Sequence, residues 1–473
     1  MLLYDSDLSK KAVNSSDGTY SYGELHYDVQ LIADFFVLKE IREIALISEK
    51  SYLAYCVLWA AHIAGVTICC LNVDLPPKRV AECLALFEPD MVIAENEIYG
   101  FDNVPLQKLY SEAVCSKEYF DKLTYPPSNN VMYVLFTSGS TGKPKGVAIL
   151  RKAFEEVIEW AKTNLSMTSE DIVGQYCNIG FDMGLCDVFL ALSIGAELVP
   201  ITGISMLNPG RIIKQYRISC LYAVPTIVDI FIKHKDFEKG LLSSLKLIGF
   251  GGAPLYEKHM RYICTYKPLL TVYNTYGPTE TTLFTSCIIF TAEAFQEIIE
   301  TSVCLGNPVA GVSYEIIGED GNLGELAVIG SHCLAGYLSD KEKINYSAAE
   351  SKEYFPTGDI VQIKDGNYYF ITRKDNQVKI RGIRIDLNGI DTQINKLGIS
   401  SVSMIIDERL VVFYKGAIAN DEIIKLLANY LPMNCLPDEF ISLEEIPLNA
   451  NGKYDRSKLL NYYRKNELNN YEK

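Results

Sequence analysis

The sequence predicts an α/β protein with a large N-terminal domain of layered sheets and helices, a small β subdomain within it, and a small α+β domain at the C-terminal end. Three observations carry this. Strand-like and helix-like segments alternate through the first ~300 residues, which implies sheets with helices packed on their faces. From about Val303 the texture changes to short strands punctuated by Gly and Asp. After Arg373 a shorter alternation of strands and helices begins, and the polar segment Lys374 to Asn376 reads as a hinge. The expected domains are therefore residues 1–374 and 375–473.

In chain order, REIALIS reads as a strand, SYLAYCVLWAAHIAG as a buried helix, VTICCLNV as a strand, PPKRVAECLALFEP as an amphipathic helix and DMVIAE as a strand. The rhythm resumes with KAFEEVIEWAKTNL (helix), DVFLALSIGAELV (helix, then strand), CLYAVPTIVDIFIKH (strand, then helix) and LKLIGFGG, a strand entering a turn. In the β subdomain VSYEIIGEDGNLGELAVIG carries two short strands, and DIVQIKDGNYYFIT places a D-G turn between two more. The C-terminal domain reads as strands in RKDNQVKIRGIRID, a helix in NGIDTQINKLG, strands in SVSMIID and RLVVFYK, and a helix in DEIIKLLANYL.

At 473 residues the chain is long enough for several cores, and 48% apolar with 22% charged residues is ordinary soluble composition. No apolar run approaches the ~20 residues of a membrane span, and MLLYDSDLSKK lacks the pattern of a signal peptide, so a cytoplasmic protein without membrane contact is expected. The formal net charge of −15 argues against nucleic-acid binding. The 13 cysteines form no CxxC pair and lie mostly in apolar surroundings, which favours reduced, buried thiols. The 5 histidines show no metal-ligand spacing.

The string FTSGSTGKPKG at 136–146 follows the apolar run VMYVLF and has the small residues and lysines that a polyphosphate needs. It nearly matches the Walker pattern, but Pro144 stands where the hydroxyl residue should be and would interrupt the required helix. Four further strings follow at long intervals: NTYGPTETT at 274–282, YFPTGD at 354–359, RKDNQVKIRGIRID at 373–386 and NGKYDR at 451–456. Together they resemble the ANL adenylating-enzyme superfamily of acyl-CoA synthetases, luciferases and nonribosomal peptide synthetase adenylation domains. NTYGPTETT, NQVKIRG and NGKYDR are most similar to its amino-acid-activating branch, which includes D-alanine–D-alanyl carrier protein ligases.

The resemblance implies a small mobile C-terminal domain and a two-step reaction using ATP and Mg²⁺. A carboxylate attacks the α-phosphate to give an acyl-adenylate and pyrophosphate, and a thiol then displaces AMP. By the same resemblance Thr137, Ser138, Gly139, Ser140, Thr141, Gly142 and Lys145 form the phosphate loop. Tyr276 covers the adenine beside Asn274 and Thr275, Thr279 contacts the α-phosphate, and Glu280 holds Mg²⁺, a hard cation suited to oxygen ligands. Asp359 accepts from both ribose hydroxyls and Arg373 reaches the ribose, although Thr372 replaces the usual glycine of G-R-x-D. Lys453 is the catalytic lysine that bridges the substrate carboxylate and the α-phosphate. Asp375 is the hinge, and Gly382 would let the arm of the thiol pass close to the backbone in the second step. Gly389 stands where an acidic residue is usual.

In GFDMGLCDVF, Asp182 occupies the position that holds the substrate ammonium in amino-acid-activating members, and Gly184 departs from the usual F-D-x-S. The matching pocket positions are Met183, Cys186, Tyr222, Ile248, Phe250, Thr275, Leu283 and Phe284, mostly apolar and without a second charge. A small or medium uncharged amino acid is therefore expected, with an acyl- or aryl-CoA ligase of the same fold as the alternative. The tail after Arg456 is too short for a carrier domain, so the thiol is expected on a separate phosphopantetheinylated carrier protein. A monomer is expected.

Overall fold

The computed structural model describes all residues except 99, 118–122, 139–142, 300–301, 319–320, 340–342, 376, 381–382, 408, 417, 448–453 and 472–473. The fold is mixed α/β. Its larger compact unit comprises residues 1–73, 83–136 and 146–374, and the smaller comprises 74–82, 137–145 and 375–473.

The larger unit holds a nine-stranded sheet ordered Asn307–Pro308, Ser286–Thr291, Thr271–Tyr276, Leu247–Phe250, Cys220–Ala223, Ile172–Gln175, Glu197–Pro200, Lys11–Ser15 and Gly18–Ser21. The six strands from Thr271–Tyr276 to Lys11–Ser15 run parallel, as helix-connected strands should. A second sheet of seven strands has a parallel centre in which Thr67–Cys70 lies between Glu43–Ile47 and Val131–Ser138. The helix Tyr52–Ile63 is apolar all round and buried almost throughout, and Ser51 starts it by accepting from the Ala54 amide. The helix Tyr22–Leu38 begins at a capping box, in which Ser21 accepts from the Glu24 amide and Glu24 accepts from the Ser21 amide at 2.8 Å.

A four-stranded antiparallel sheet forms the β subdomain. Its strands Tyr354–Lys364 and Asn367–Arg373 are joined by the predicted D-G turn, with Asp365 and Gly366 both at positive φ, 50° and 78°, as a tight hairpin requires. Lys374 is the last residue of the larger unit, its amide donating to Gly358 O at 2.7 Å and its ammonium to Glu325 at 2.9 Å.

In the smaller unit, Ser400–Ile406 and Arg409–Lys415 pair antiparallel and Glu439–Leu443 joins parallel to the second. Leu410, Val412 and Tyr414 face the Leu387–Asn395 helix through Ile390 and Ile394, while Val411 and Phe413 face Leu459 and Tyr463. Gly389 is buried there. The helix's one carboxylate, half-buried Asp391, accepts from the hydroxyls of Ser401 at 3.0 Å and Ser403 at 2.7 Å. All thirteen cysteines are unbridged thiols, ten of them buried. Among the described residues no helix is long and apolar enough to cross a membrane.

Glu43, at the start of its strand, carries a pH-dependent cost. Burial, then the neighbouring Asp90 side chain, raise its pKa from the model-peptide value of 4.5 to about 7. The folded chain thus holds a proton that the unfolded chain releases between those values, and stability falls as pH rises through that window. Glu43→Gln keeps the acceptor for Asn129. It should raise the melting temperature relative to wild type at pH 8 but not at pH 4, as thermal melts at the two pH values would show.

Candidate active site

Asp359 and Arg373 lie directly opposite each other on the hairpin of the β subdomain. The Arg373 guanidinium donates to Asp359 Oδ1 and, at 3.1 Å, to Thr357 O. Tyr276, the last residue of its parallel strand, donates its hydroxyl to Asp359 Oδ2 at 2.6 Å. Burial and, next, the Asp359 charge push the Tyr276 pKa well up, so its hydroxyl stays protonated. Asp359 is 6% exposed, yet each carboxylate oxygen keeps a second lone pair for another donor. The side chain of Thr372 points to solvent, so the threonine in place of glycine leaves Arg373 in its pairing.

After Tyr276 the chain turns sharply. A Cβ on Gly277 would lie 2.6 Å from Phe284 Cα, so only glycine fits. Thr282 and Leu283 are both in the left-handed region, at φ 59° and 67°. The Thr282 hydroxyl donates to His332 O at 2.6 Å and the Thr285 amide to Tyr276 O at 2.7 Å, which hold the strained turn. On this turn Thr279 is half-buried and Glu280 is 3% exposed. The Tyr337 hydroxyl lies 3.4 Å from a Glu280 carboxylate oxygen. The described residues hold no cluster of three acidic, His or Cys side chains suited to a metal. One buried carboxylate fits Mg²⁺, which is commonly held by one or two carboxylates together with substrate phosphates and water.

Asp182 is the first residue of the helix Asp182–Ile194, and its Oδ1 accepts from the Met183 amide at 2.9 Å. Its charge is felt at the hydroxyls of Tyr133 and Tyr222. Met183 Sδ sits 3.4 Å from the Cβ position of Gly252. Tyr222 and Thr275 share a 2.7 Å hydrogen bond between their hydroxyls, and Thr275 also donates to Phe250 O. Asn274 donates to Cys304 O at 3.0 Å. Met183, Cys186, Tyr222, Leu283 and Phe284 belong to one core cluster.

Ile248 and Phe250 do not join them. Both pack into the separate core on the other side of the nine-stranded sheet, with Leu221, Ala223 and Val272. Side chains alternate along a strand, so it is Gly249 and Gly251 that face Tyr273, Tyr222 and Thr275. The pocket expectation for Ile248 and Phe250 is displaced by one residue along the strand. Three further residues at this locus escaped the sequence reading. Tyr273 lies 5.5 Å from Tyr222 between ring centroids, Tyr337 approaches Glu280, and Asp187 is a buried carboxylate one position after Cys186. The alternation of Tyr273 and Thr275 on one strand was the available signal for the first.

Gly139, Ser140, Thr141 and Gly142 of the glycine-rich loop, Gly382 and Lys453 lie outside the described residues. At the borders of the loop, the Thr137 hydroxyl approaches Lys145 O at 3.5 Å, and Ser138 ends the Val131–Ser138 strand. Thr137 and Lys145 belong to the smaller unit, as does Asp375, which is exposed.

A sequence profile described as AMP-binding enzyme matches residues 6–338. The chain belongs to the AMP-binding enzyme family. Among relatives, this family member is 29% identical to delta-poly-L-ornithine synthetase of Acinetobacter baumannii over 501 residues, covering 95% of the chain but 35% of that protein. It is 29% identical to D-alanine–D-alanyl carrier protein ligase of Bacillus licheniformis over 358 residues, covering 70% of each. The chain thus spans well under two thirds of the first of these relatives. In fold it resembles the Vibrio cholerae adenylation domain AlmE in complex with glycyl-adenosine-5'-phosphate, with a TM-score of 0.80, 21% identity, and 97% and 96% of the two chains covered.

Gly184 of this AMP-binding enzyme lies where a Cβ would be 2.1 Å from Asn178 O, in backbone, with its own carbonyl accepting from Gln175 at 3.1 Å. Gly184→Ser, the residue usual in the motif, should destabilise the fold by about 1–3 kcal/mol, measured by denaturant unfolding.

Proposed function

We propose that the chain is an adenylation domain that activates an α-amino acid. A carboxylate oxygen of the amino acid attacks the α-phosphorus of ATP, the bond to the β-phosphate oxygen breaks, and pyrophosphate leaves. The phosphopantetheine thiolate of a separate carrier protein then attacks the acyl carbon, and AMP departs with the bonding pair. Membership of the AMP-binding family supports adenylate formation, and similarity to the D-alanyl carrier protein ligase supports the carrier. The observation that carries the amino-acid reading is Asp182, a half-buried carboxylate at a helix start whose charge reaches the Tyr222 hydroxyl. A half-buried carboxylate there offers a counter-charge to a substrate ammonium.

In this reading Asp359 takes the ribose hydroxyls on its remaining lone pairs, with Arg373 and Tyr276 holding it, and the Tyr276 ring flanks the adenine beside Asn274. Thr279 meets the α-phosphate. Glu280 would supply the protein ligand to Mg²⁺, whose role is to neutralise phosphate charge. Thr137, Ser138, Gly139, Ser140, Thr141, Gly142 and Lys145 would hold the β and γ phosphates. Lys453 would offset charge between the two anions in the first step, and rotation about Asp375 would bring Gly382 to the thiol path in the second. Action in the cytoplasm as a monomer completes the proposal.

Lys453→Ala should cut amino-acid-dependent ATP–pyrophosphate exchange by about 10²–10³-fold while nucleotide binding, measured by calorimetry, persists; an unchanged exchange rate removes the assignment. Asp182→Ala should raise the amino acid KM by at least about tenfold and the ATP KM far less. Equal effects on both, or exchange only with acids lacking an amino group, would favour the CoA ligase alternative.

A further inference from the structure

The Asp182 carboxylate is only as well placed as the first turn of its helix, and that turn lacks the usual fastening. The N-cap is Phe181, whose side chain makes no cap hydrogen bond and has no oxygen with which to make one. A fastening comes instead from the neighbouring strand. Gln175, the last residue of the strand Ile172–Gln175 and buried, reaches forward along the chain and donates its side-chain amide to Gly184 O at 3.1 Å. A helical carbonyl keeps a second lone pair for such a donor. Gly184 follows Asp182 on the same turn of the helix.

Gln175 is itself fixed in place and in direction. Its Oε1 accepts from the hydroxyl of Tyr55, on the helix Tyr52–Ile63. Burial and, next, the Asp187 charge push the Tyr55 pKa well up, so the phenol keeps the proton it donates. Reversing the amide would set two acceptors, Gln175 Oε1 and Gly184 O, against each other, so the contacts admit one orientation. The main chain is held as well. The Gln175 carbonyl accepts from the Ile201 amide at 3.0 Å and from the buried Lys50 ammonium at 3.2 Å, and that ammonium also reaches Tyr176 O at 2.7 Å and Ile201 O.

We propose that Gln175 is the positioning residue of Asp182: by holding Gly184 O it fixes the start of the helix, and with it the direction in which the Asp182 carboxylate meets a substrate ammonium. This rests on the amino-acid reading above. Gln175 acts through the helix, and Tyr55 and Lys50 act through Gln175. A charge-assisted hydrogen bond tolerates little displacement, and a shift on the order of 1 Å at a binding group can cost about 100-fold.

The test is ATP–pyrophosphate exchange with the amino acid of highest kcat/KM among glycine, the other standard L-amino acids, ornithine and D-alanine. It compares the wild type with Gln175→Met, Gln175→Glu, Asp182→Ala and the double variant Asp182→Ala/Gln175→Met. Gln175→Met should raise the amino acid KM about tenfold and leave the ATP KM within about twofold. Combined with Asp182→Ala it should raise that KM no further, because its effect passes through the carboxylate. In Gln175→Glu the new carboxyl donates to Gly184 O only when protonated, so its amino acid KM should return towards wild type as pH falls from 8 to 6, whereas the ratio for Gln175→Met stays constant. The Gly184 and Leu185 amides, which donate to Phe181 O, should exchange hydrogen faster in Gln175→Met than in the wild type. An unchanged amino acid KM in Gln175→Met while Asp182→Ala raises it, an equal rise for ATP, or effects that multiply in the double variant overturns the positioning role. If Asp182→Ala itself leaves the amino acid KM unchanged, the amino-acid reading falls, and hydrogen exchange at Gly184 and Leu185 alone decides whether Gln175 holds the helix start. Should Gln175→Met fail to fold, Tyr55→Phe, which removes one hydroxyl, takes its place with the same expected and overturning results.

Discussion

The grip of Tyr276 and Arg373 on Asp359 is the interaction around which the larger unit is organised. Asp359 belongs to the four-stranded β subdomain and Tyr276 to the nine-stranded sheet, and their hydrogen bond joins the two across 83 residues of chain. A carboxylate this deeply buried is costly unless donors surround it. Here a phenol and a guanidinium do so, and Arg373 is delivered by strand register to the position opposite. Leu305, Leu326 and Val361 pack beside the Tyr276 ring and keep water from loosening the joint. The same restraint that joins two sheets also fixes the direction of the ring.

The turn that follows Tyr276 converts this joint into a site. Thr282 and Leu283 adopt conformations that L residues disfavour, and two backbone-directed hydrogen bonds compensate. Because the chain doubles back so tightly, Glu280 is drawn inward to within reach of Tyr337, a residue of the other large sheet. Strain at the turn, burial of Glu280 and the hydrogen bond between Tyr222 and Thr275 all trace to the ends of neighbouring parallel strands. Loops after parallel strands commonly gather functional groups in this way, since the strands end together while the loops remain free to vary.

Much of the fold was legible because its local signals are strong. The helix Tyr52–Ile63 announces its burial by being apolar on every face, and the Asp365–Gly366 turn by the need for positive φ at both residues. The superfamily was legible because five motifs occur in order. Which way short strands face was not. Leu247–Phe250 is only four residues long and buried on both sides, so it lacks the polar–apolar alternation that would reveal its register. Ile248 and Phe250 are pocket positions by the family resemblance and lie on the far face, whereas Gly249 and Gly251 face Tyr273, Tyr222 and Thr275. Asp187 was equally hidden, since one position along a helix changes the direction of a side chain by about 100°.

The succession of strands and helices, the superfamily and the chemical types arrayed along the motifs are written in the order of residues. Those properties depend on neighbours in the chain: periodicity, turn chemistry and residue identity. Packing alone settles that the Tyr276 hydroxyl is spent on Asp359 and that Gly249 and Gly251, rather than their neighbours, face Tyr273, Tyr222 and Thr275. These depend on which atoms from distant segments compete for the same space or the same lone pair, and that competition is resolved only when the sheets are packed.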